Sequence, residues 1–324
     1  MILIITNTQD LTSDFVVREI LSRQQQFARL NTDEFPVYIR GLVSFGLKEA
    51  PQSIISWINR NRILDLDKIT SVLYRRPVPP IPDEKIVDPG IRIFCVDECY
   101  DFLRGLWCTL DCYWMSHPEA IRIAEHKIYQ LRIAQTLPFE IPKTLITNDP
   151  SAVRSFYHEC SRGMIIKPLY LGYIKQSQTS KNIFTSVVSE KELKDIESVI
   201  LCPSIFQERI DKQFDIRITV VGEKVFAAKI VSTVLPDNIP DWRFATLETL
   251  RYYKYDLPAD IESACVSLVK RLGLNYGAID MALDNKGRYV FFEINPNGQW
   301  AWLETALGFH ISKAIVDQLS DRLI

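Results

Sequence analysis

A mixed α/β (α+β) fold of two or three units is predicted, on three observations. The chain opens as β-α-β: the apolar run Ile2–Thr6, then Phe15, Val16, Ile20 and Leu21 at helical spacing, then the strand-like run FARLN. That order is typical of open α/β sheets. In the last third, strand-like runs (DIRITVVG, KVFAAKIVS, AIDMALD, RYVFFEIN) alternate with a helical pattern across IESACVSLVKRLGL. Finally, the chain has 324 residues, enough for two or three domains at roughly 100–200 residues each.

The elements follow in order. Ser13 or Asp14 is expected to cap the first helix. ITSVLYRRP reads as a strand stopped by Pro77, VPPIPDE as a proline-rich loop, and residues 91–114 as helical. A new unit begins near His117, where HPEAIRIAEHKIYQLRIAQTL reads as one helix with Pro118 in its first turn. Then come a strand KTLIT, a helix opened by Asn148, Asp149 or Ser151, a strand MIIKPL, a strand IFTSVV, a charged helix SEKELKDIESV and a strand SIFQERI. The last predicted helix stops at Gly273, in keeping with the glycine preference beyond helix ends.

Composition narrows the function. With 47% hydrophobic and 24% charged residues the chain resembles an ordinary soluble enzyme. A net charge of -2 argues against a nucleic-acid platform. No apolar run is long enough to span a bilayer, so no membrane association is expected. MILIITNTQD reads as a first strand rather than a signal peptide, which points to a cytoplasmic location. The seven cysteines are odd in number and expected to be reduced. Cys95/Cys99 and Cys108/Cys112 form CxxxC pairs, but in an apolar helical segment such cysteines read as packing rather than metal ligands. The four histidines are scattered, and no Ser-His-Asp or Cys-His set stands out.

The chemistry-bearing residues cluster late. AIDMAL and FFEINPNG place Asp280, Glu293 and Asn295 on two strands joined by an Asn285-Lys286-Gly287 turn. Glu293 and Asn295 are two apart and share a face. Two carboxylates and an amide oxygen are hard ligands suited to Mg²⁺ bound with phosphates. Lys167 follows the apolar run MII, where a lysine needs an anionic partner or a route to solvent. Gln207, Glu208 and Ile210 end a strand that either meets a purine at its edge or is a plain strand end. Asp215 and Arg217 share a strand face; Arg217 either neutralises a phosphate or pairs locally with Asp215. Trp300 and Trp302 either wall an acceptor site or pack as aromatics.

Read along the chain, helix-borne Lys127, IIKP with Lys167, QERI, DIR, AID and EIN resemble the ATP-grasp superfamily over about residues 117–310. The resemblance implies an ATP-grasp fold with an N-terminal α/β pre-ATP-grasp domain at 1–116, a central subdomain at 117–205 and a C-terminal subdomain at 206–324 carrying the metal and catalytic residues. It implies ATP and Mg²⁺ as cofactors. Lys127 and Lys167 would contact phosphates; Gln207, Glu208, Ile210 and Asp215 would serve the adenine and ribose pocket; Asp280, Glu293 and Asn295 would bind Mg²⁺; and Arg217 would stabilise an acyl phosphate. One departure is the glycine-poor stretch after Lys167, which keeps only Gly172.

ARLNTDEFP, VLYRRP, DWR and NPNGQWAWLE further resemble the maturases of microviridin-type graspetides. That likeness implies ligation of Asp or Glu side chains of a precursor peptide, leader plus core, to Thr, Ser or Lys side chains as macrolactones or macrolactams. It also implies a homodimer, and a role for Arg243 of DWR in positioning the acidic residue. An ATP-grasp ligase acting on free amino acids or a protein terminus is the alternative.

Overall fold

The computed structural model describes residues 1–46, 52–58, 62–170, 172–175, 180–232 and 249–320. The chain divides into two compact units, Met1–Pro118 with His310–Ile324, and Glu119–Phe309.

The first unit starts with the expected β1 (Ile2–Thr6), α1 (Leu11–Ser22) and β2 (Phe27–Asn31). It continues through β3 (Ile39–Ser44), β4 (Gln52–Trp57), β5 (Arg62–Asp65), β6 (Ser71–Tyr74), α2 (Pro89–Cys108) and β7 (Tyr113–Trp114). Strands β2-β1-β6-β7 form a parallel sheet, and β3-β4-β5 an antiparallel one. Ile2, Leu3, Ile4 and Ile5 are all fully buried because both faces of the parallel sheet are covered. On one side, Leu3, Ile5 and Val72 meet Leu103, Leu106 and Trp107 of α2 and the meander's Ile39, Ile55 and Leu64. The helix Ile311–Ser320 packs on α1 and β6. Helix α1 begins before the residues expected to cap it, with Asp10 at the N-cap. The Asp10 carboxylate turns inward, accepting from Thr6 Oγ1 (2.8 Å) and from the Ser13 hydroxyl. α2 ends at Cys108, earlier than the helical pattern suggests.

In the second unit, the long helix expected after His117 is two helices, α3 (Pro118–Ala124) and α4 (Lys127–Ala134). The break has a visible cause. The Ala124 carbonyl accepts from the Gln130 side chain at 2.6 Å, and His126 takes an extended N-cap conformation. Next come β8 (Thr144–Thr147), α5 (Pro150–Glu159), β9 (Met164–Lys167), β10 (Tyr173–Lys175), β11 (Ser180–Asn182), β12 (Ser186–Val188), α6 (Glu190–Lys194) and β13 (Ser204–Glu208). Asp149 caps α5 by accepting from Ser151 N at 2.8 Å, with Pro150 behind it in the first turn. The antiparallel sheet β12-β9-β13-β8 packs Met164, Val188 and Phe206 against Val153 and Phe156 of α5.

The remainder is β14 (Lys212–Val221), β15 (Lys224–Ser232), β16 (Leu250–Lys254), α7 (Ala259–Arg271), β17 (Tyr276–Asp284), β18 (Tyr289–Asn295) and α8 (Ala301–Leu307). These strands form an antiparallel sheet in the order β16-β15-β14-β17-β18. Helix α7 packs on β14, β15 and β17 with Ile261, Ala264, Cys265, Leu268 and Val269 buried. Gly273 adopts φ +72° just past α7, the left-handed conformation that glycine supplies at helix ends. The Asp284 carboxylate organises the β17–β18 turn by accepting from the backbone N–H groups of Lys286 and Arg288 at 2.9 and 2.8 Å. All seven thiols are free. No helix among the described residues is long and apolar enough to cross a membrane.

Phe206 is wholly buried between β13 and α5. Phe206→Ala is therefore expected to cost about 3–5 kcal/mol in urea unfolding. A loss under about 1 kcal/mol, the size of an ordinary surface substitution, would contradict this packing.

Candidate active site

Strand register builds the site. On β14 and β17, Arg217 pairs with Asp280; on β17 and β18, Asp280 pairs with Glu293 and Ala278 with Asn295. A β-bulge makes the second pairing possible. The register steps from Met281↔Phe291 to Asp280↔Glu293, leaving Phe292 as the extra residue. Continued without that residue, the pairing would set Phe292 opposite Asp280 and Glu293 opposite the buried Ile279. With it, Arg217, Asp280 and Glu293 form one row across three strands, and Asn295 lies beside them.

The row is held by charge. Arg217 Nη1 donates to Asp280 Oδ2 at 2.8 Å, and Lys127 Nζ donates to Glu293 Oε2 at 2.6 Å. Asn295 Nδ2 donates to Asp280 Oδ2 at 3.2 Å and to Glu293 Oε1 at 3.3 Å. Side-chain exposures are 8% and 16% for Arg217 and Asp280, and 14% for both Lys127 and Glu293. These pairs are far less screened than surface ion pairs. Arg217 Nη2 also donates to the Gln299 carbonyl at 3.2 Å. Beside the break between α3 and α4, burial pushes the Glu125 carboxyl up, against the opposing pull of Lys127, His126 and Arg122.

The donor set fits a hard dication. Asp280 Oδ1 is buried with no hydrogen-bond partner among the described residues, an acceptor that a cation would satisfy. Two carboxylates and an amide suffice only alongside phosphate and water oxygens, as is usual for Mg²⁺. Among the described residues no group of three or more His, Cys, Asp and Glu side chains is arranged to hold a metal on its own.

Gly298 is a site residue that sequence reasoning missed. A Cβ there would come within 2.3 Å of Ala278 Cβ and 2.6 Å of Arg217 Nη2. The turn after Asn295, closed by Gly298 N donating to the Asn295 carbonyl at 3.1 Å, therefore leaves room for the guanidinium only without a side chain. The NPNG run was the signal available for it.

The other expected residues lie elsewhere in the unit. Lys167 ends β9 opposite Ile205 of β13, and Gln207 lies two residues further along β13. The Gln207 amide is buried and donates to Thr144 Oγ1 at 2.8 Å, so its side chain braces the sheet. Glu208 accepts from Ser161 Oγ at 3.1 Å, and Ile210 is half-buried just beyond the strand. Asp215 pairs with Lys212 Nζ at 2.7 Å rather than with Arg217. Arg243 and the rest of DWR fall outside the described residues. Trp300 is buried, whereas Trp302 packs against Tyr252 with ring centroids 4.8 Å apart and the rings tilted by 51°. The lone glycine after Lys167 has a steric reason: a Cβ on Gly172 would sit 2.1 Å from the Ile183 carbonyl, at the base of the β10–β11 hairpin.

Residues 1–122 match the family model of the MvdD pre-ATP-grasp domain, and residues 124–319 match the RimK-like ATP-grasp domain. The chain is an ATP-grasp ligase. Its paired antiparallel sheets and N-terminal pre-ATP-grasp unit are those of the family. Macrocyclase MdnC of Microcystis aeruginosa MRC, solved with precursor peptide MdnA, is 35% identical, with 99% of each chain covered and a TM-score of 0.87. A RiPP-associated ATP-grasp ligase of Chryseobacterium gregarium, in complex with ADP and a leader and core peptide, is 30% identical over 99% of this chain and 96% of that one, with a TM-score of 0.90. Macrocyclase MdnB of Microcystis aeruginosa MRC is 31% identical over 98% of each chain, with a TM-score of 0.81. No curated protein sequence matches this ATP-grasp ligase.

Gly298→Ala is expected to lower stability by about 1–3 kcal/mol through the Ala278 clash. ATP turnover should fall with it as Arg217 is displaced. Unchanged thermal unfolding and turnover would show that the turn has room to spare.

Proposed function

We propose that this ligase phosphorylates Asp or Glu side chains of a precursor peptide with ATP. It then joins them to Thr or Ser hydroxyls, or a Lys amine, of the same peptide. The products are macrolactones or macrolactams, with ADP and phosphate released. The observation that carries the reading is the Arg217–Asp280–Glu293–Asn295 row with Lys127 at its end. It occurs in a chain at least 30% identical, over nearly its whole length, to ligases solved with precursor or leader and core peptides.

A carboxylate is a poor acyl donor at neutral pH, and phosphorylation gives it a leaving group. Little covalent chemistry falls to the protein; positioning and charge stabilisation do most of the work. Lys127 and Lys167 hold phosphates, each near the charge that builds during transfer. Arg217, with one nitrogen anchored on the Gln299 carbonyl, presents a planar fork to the acyl phosphate. Glu208 and Ile210, with Asp215, form the adenine and ribose side, which Gln207 supports by bracing the sheet. Asp280, Glu293 and Asn295 hold Mg²⁺, which when bound offsets charge on the phosphate oxygens. Arg243 orients the acidic side chain of the core peptide. The ligase works in the cytoplasm as a homodimer.

The test is ATP-to-ADP turnover with and without an Asp/Glu- and Thr/Ser-rich precursor peptide. Peptide-dependent turnover is expected, with a product lighter by one water per ring. Turnover on free amino acids alone, or none with any peptide, contradicts the proposal. Arg217→Lys keeps the charge but loses the fork, and kcat should fall by about 100-fold or more. Nucleotide affinity should change little; a kcat within about threefold of wild type would remove Arg217 from the phosphoryl-transfer step.

A further inference from the structure

We infer that Gln130 is a positioning residue for the metal–phosphate site, locking the metal-bearing strand to the helix that carries Lys127. The inference rests on the assignment of Asp280, Glu293 and Asn295 to the metal.

Gln130 lies on α4, in the same turn as Lys127, and is only 1% exposed. Its amide is fully engaged. Nε2 donates to the Ala124 carbonyl at 2.6 Å and to the Ile294 carbonyl at 2.8 Å, while Oε1 accepts from Ile294 N at 3.1 Å. Ile294 stands between Glu293 and Asn295. β18 is the last strand of its sheet, so the outward N–H and C=O of Ile294 face no neighbouring strand. Gln130 supplies the donor and the acceptor that such a strand would provide. The backbone from which both side chains project is thereby pinned from outside. It is pinned just beyond the Phe292 bulge, where the ladder is locally disrupted.

The third hydrogen bond secures the other partner. By holding the Ala124 carbonyl, Gln130 closes α3 and fixes the turn from which α4 restarts at Lys127. One buried amide thus ties both sides of the 2.6 Å Lys127–Glu293 pair. A buried glutamine that only stabilised the fold would need hydrogen-bond partners of any kind. This one takes both backbone groups of the residue between two oxygen ligands, plus the carbonyl that ends the helix before Lys127. Groups that orient metal ligands in this way typically govern metal affinity by about ten- to a hundredfold.

Gln130→Met keeps the length of the side chain and removes all three hydrogen bonds. ADP affinity is measured calorimetrically on the full chain, once in EDTA and once with Mn²⁺. Wild type is expected to bind ADP more tightly with Mn²⁺. In Gln130→Met that metal-dependent gain should shrink by about ten- to a hundredfold, beyond any loss of affinity in EDTA that a displaced Lys127 causes. A wild-type gain in the variant overturns the role of Gln130 and leaves the metal assignment standing. No gain in wild type removes the metal assignment, and this inference with it. If Gln130→Met does not fold, Gln130→Glu decides. It keeps the acceptor toward Ile294 N and loses donors, so a reduced gain supports the inference and a full gain overturns it.

Discussion

Asp280 and Glu293 face each other directly across two strands, and like charges in that position repel. The surrounding structure answers that repulsion. A guanidinium holds one acid, an ammonium holds the other, and the Asn295 amide bridges both. All of these groups are largely withdrawn from water, so removing a single cation would leave a poorly solvated charge, a loss of about 3–5 kcal/mol. Two acids can be kept this close only where cations neutralise them. A nucleotide's phosphates and an accompanying dication would exchange with those cations, freeing Lys127 and Arg217 to meet the phosphoryl group.

The local devices of the second unit serve that arrangement. The Phe292 bulge brings Glu293 opposite Asp280, Gly298 leaves space for the Arg217 guanidinium, and the α3–α4 break starts a helix at Lys127. Each departs from regular structure: an extra residue in a strand, a glycine in a tight turn, an interrupted helix. The surrounding regular elements, α7 beneath the sheet and the β14–β17 pairing, supply the packing that holds these departures in place.

Much of this was legible in the residues. Buried strands such as Ile2–Thr6 and the paired AIDMAL and FFEIN runs show themselves by apolar content. Residues spaced two apart on strands, such as Glu293 and Asn295, fall on one face as expected. What stayed hidden depends on partners distant in sequence. The helix break at Glu125 and His126 goes with Gln130 bonding the Ala124 carbonyl, and Gln130 is held there by Ile294, far away in sequence, which no local pattern encodes. The bulge at Phe292 is invisible to strict alternation. The β3–β5 meander escaped notice because Leu42, Phe45 and Ile63 are exposed in and around it and blur the pattern. The Gln207 side chain, read as part of the nucleotide edge, is spent on Thr144 across the sheet.

The proposed chemistry requires a dication and a triphosphate to meet at the row of residues on β14, β17 and β18. A crystal structure with Mn²⁺ and a non-hydrolysable ATP analogue tests this most directly, because anomalous scattering locates the metal independently of the protein model. Manganese is expected against Asp280, Glu293 and the oxygen of Asn295, with Lys127 moved from Glu293 to a phosphate. Manganese bound elsewhere, or an analogue bound with the Lys127–Glu293 and Arg217–Asp280 pairs intact, would contradict it.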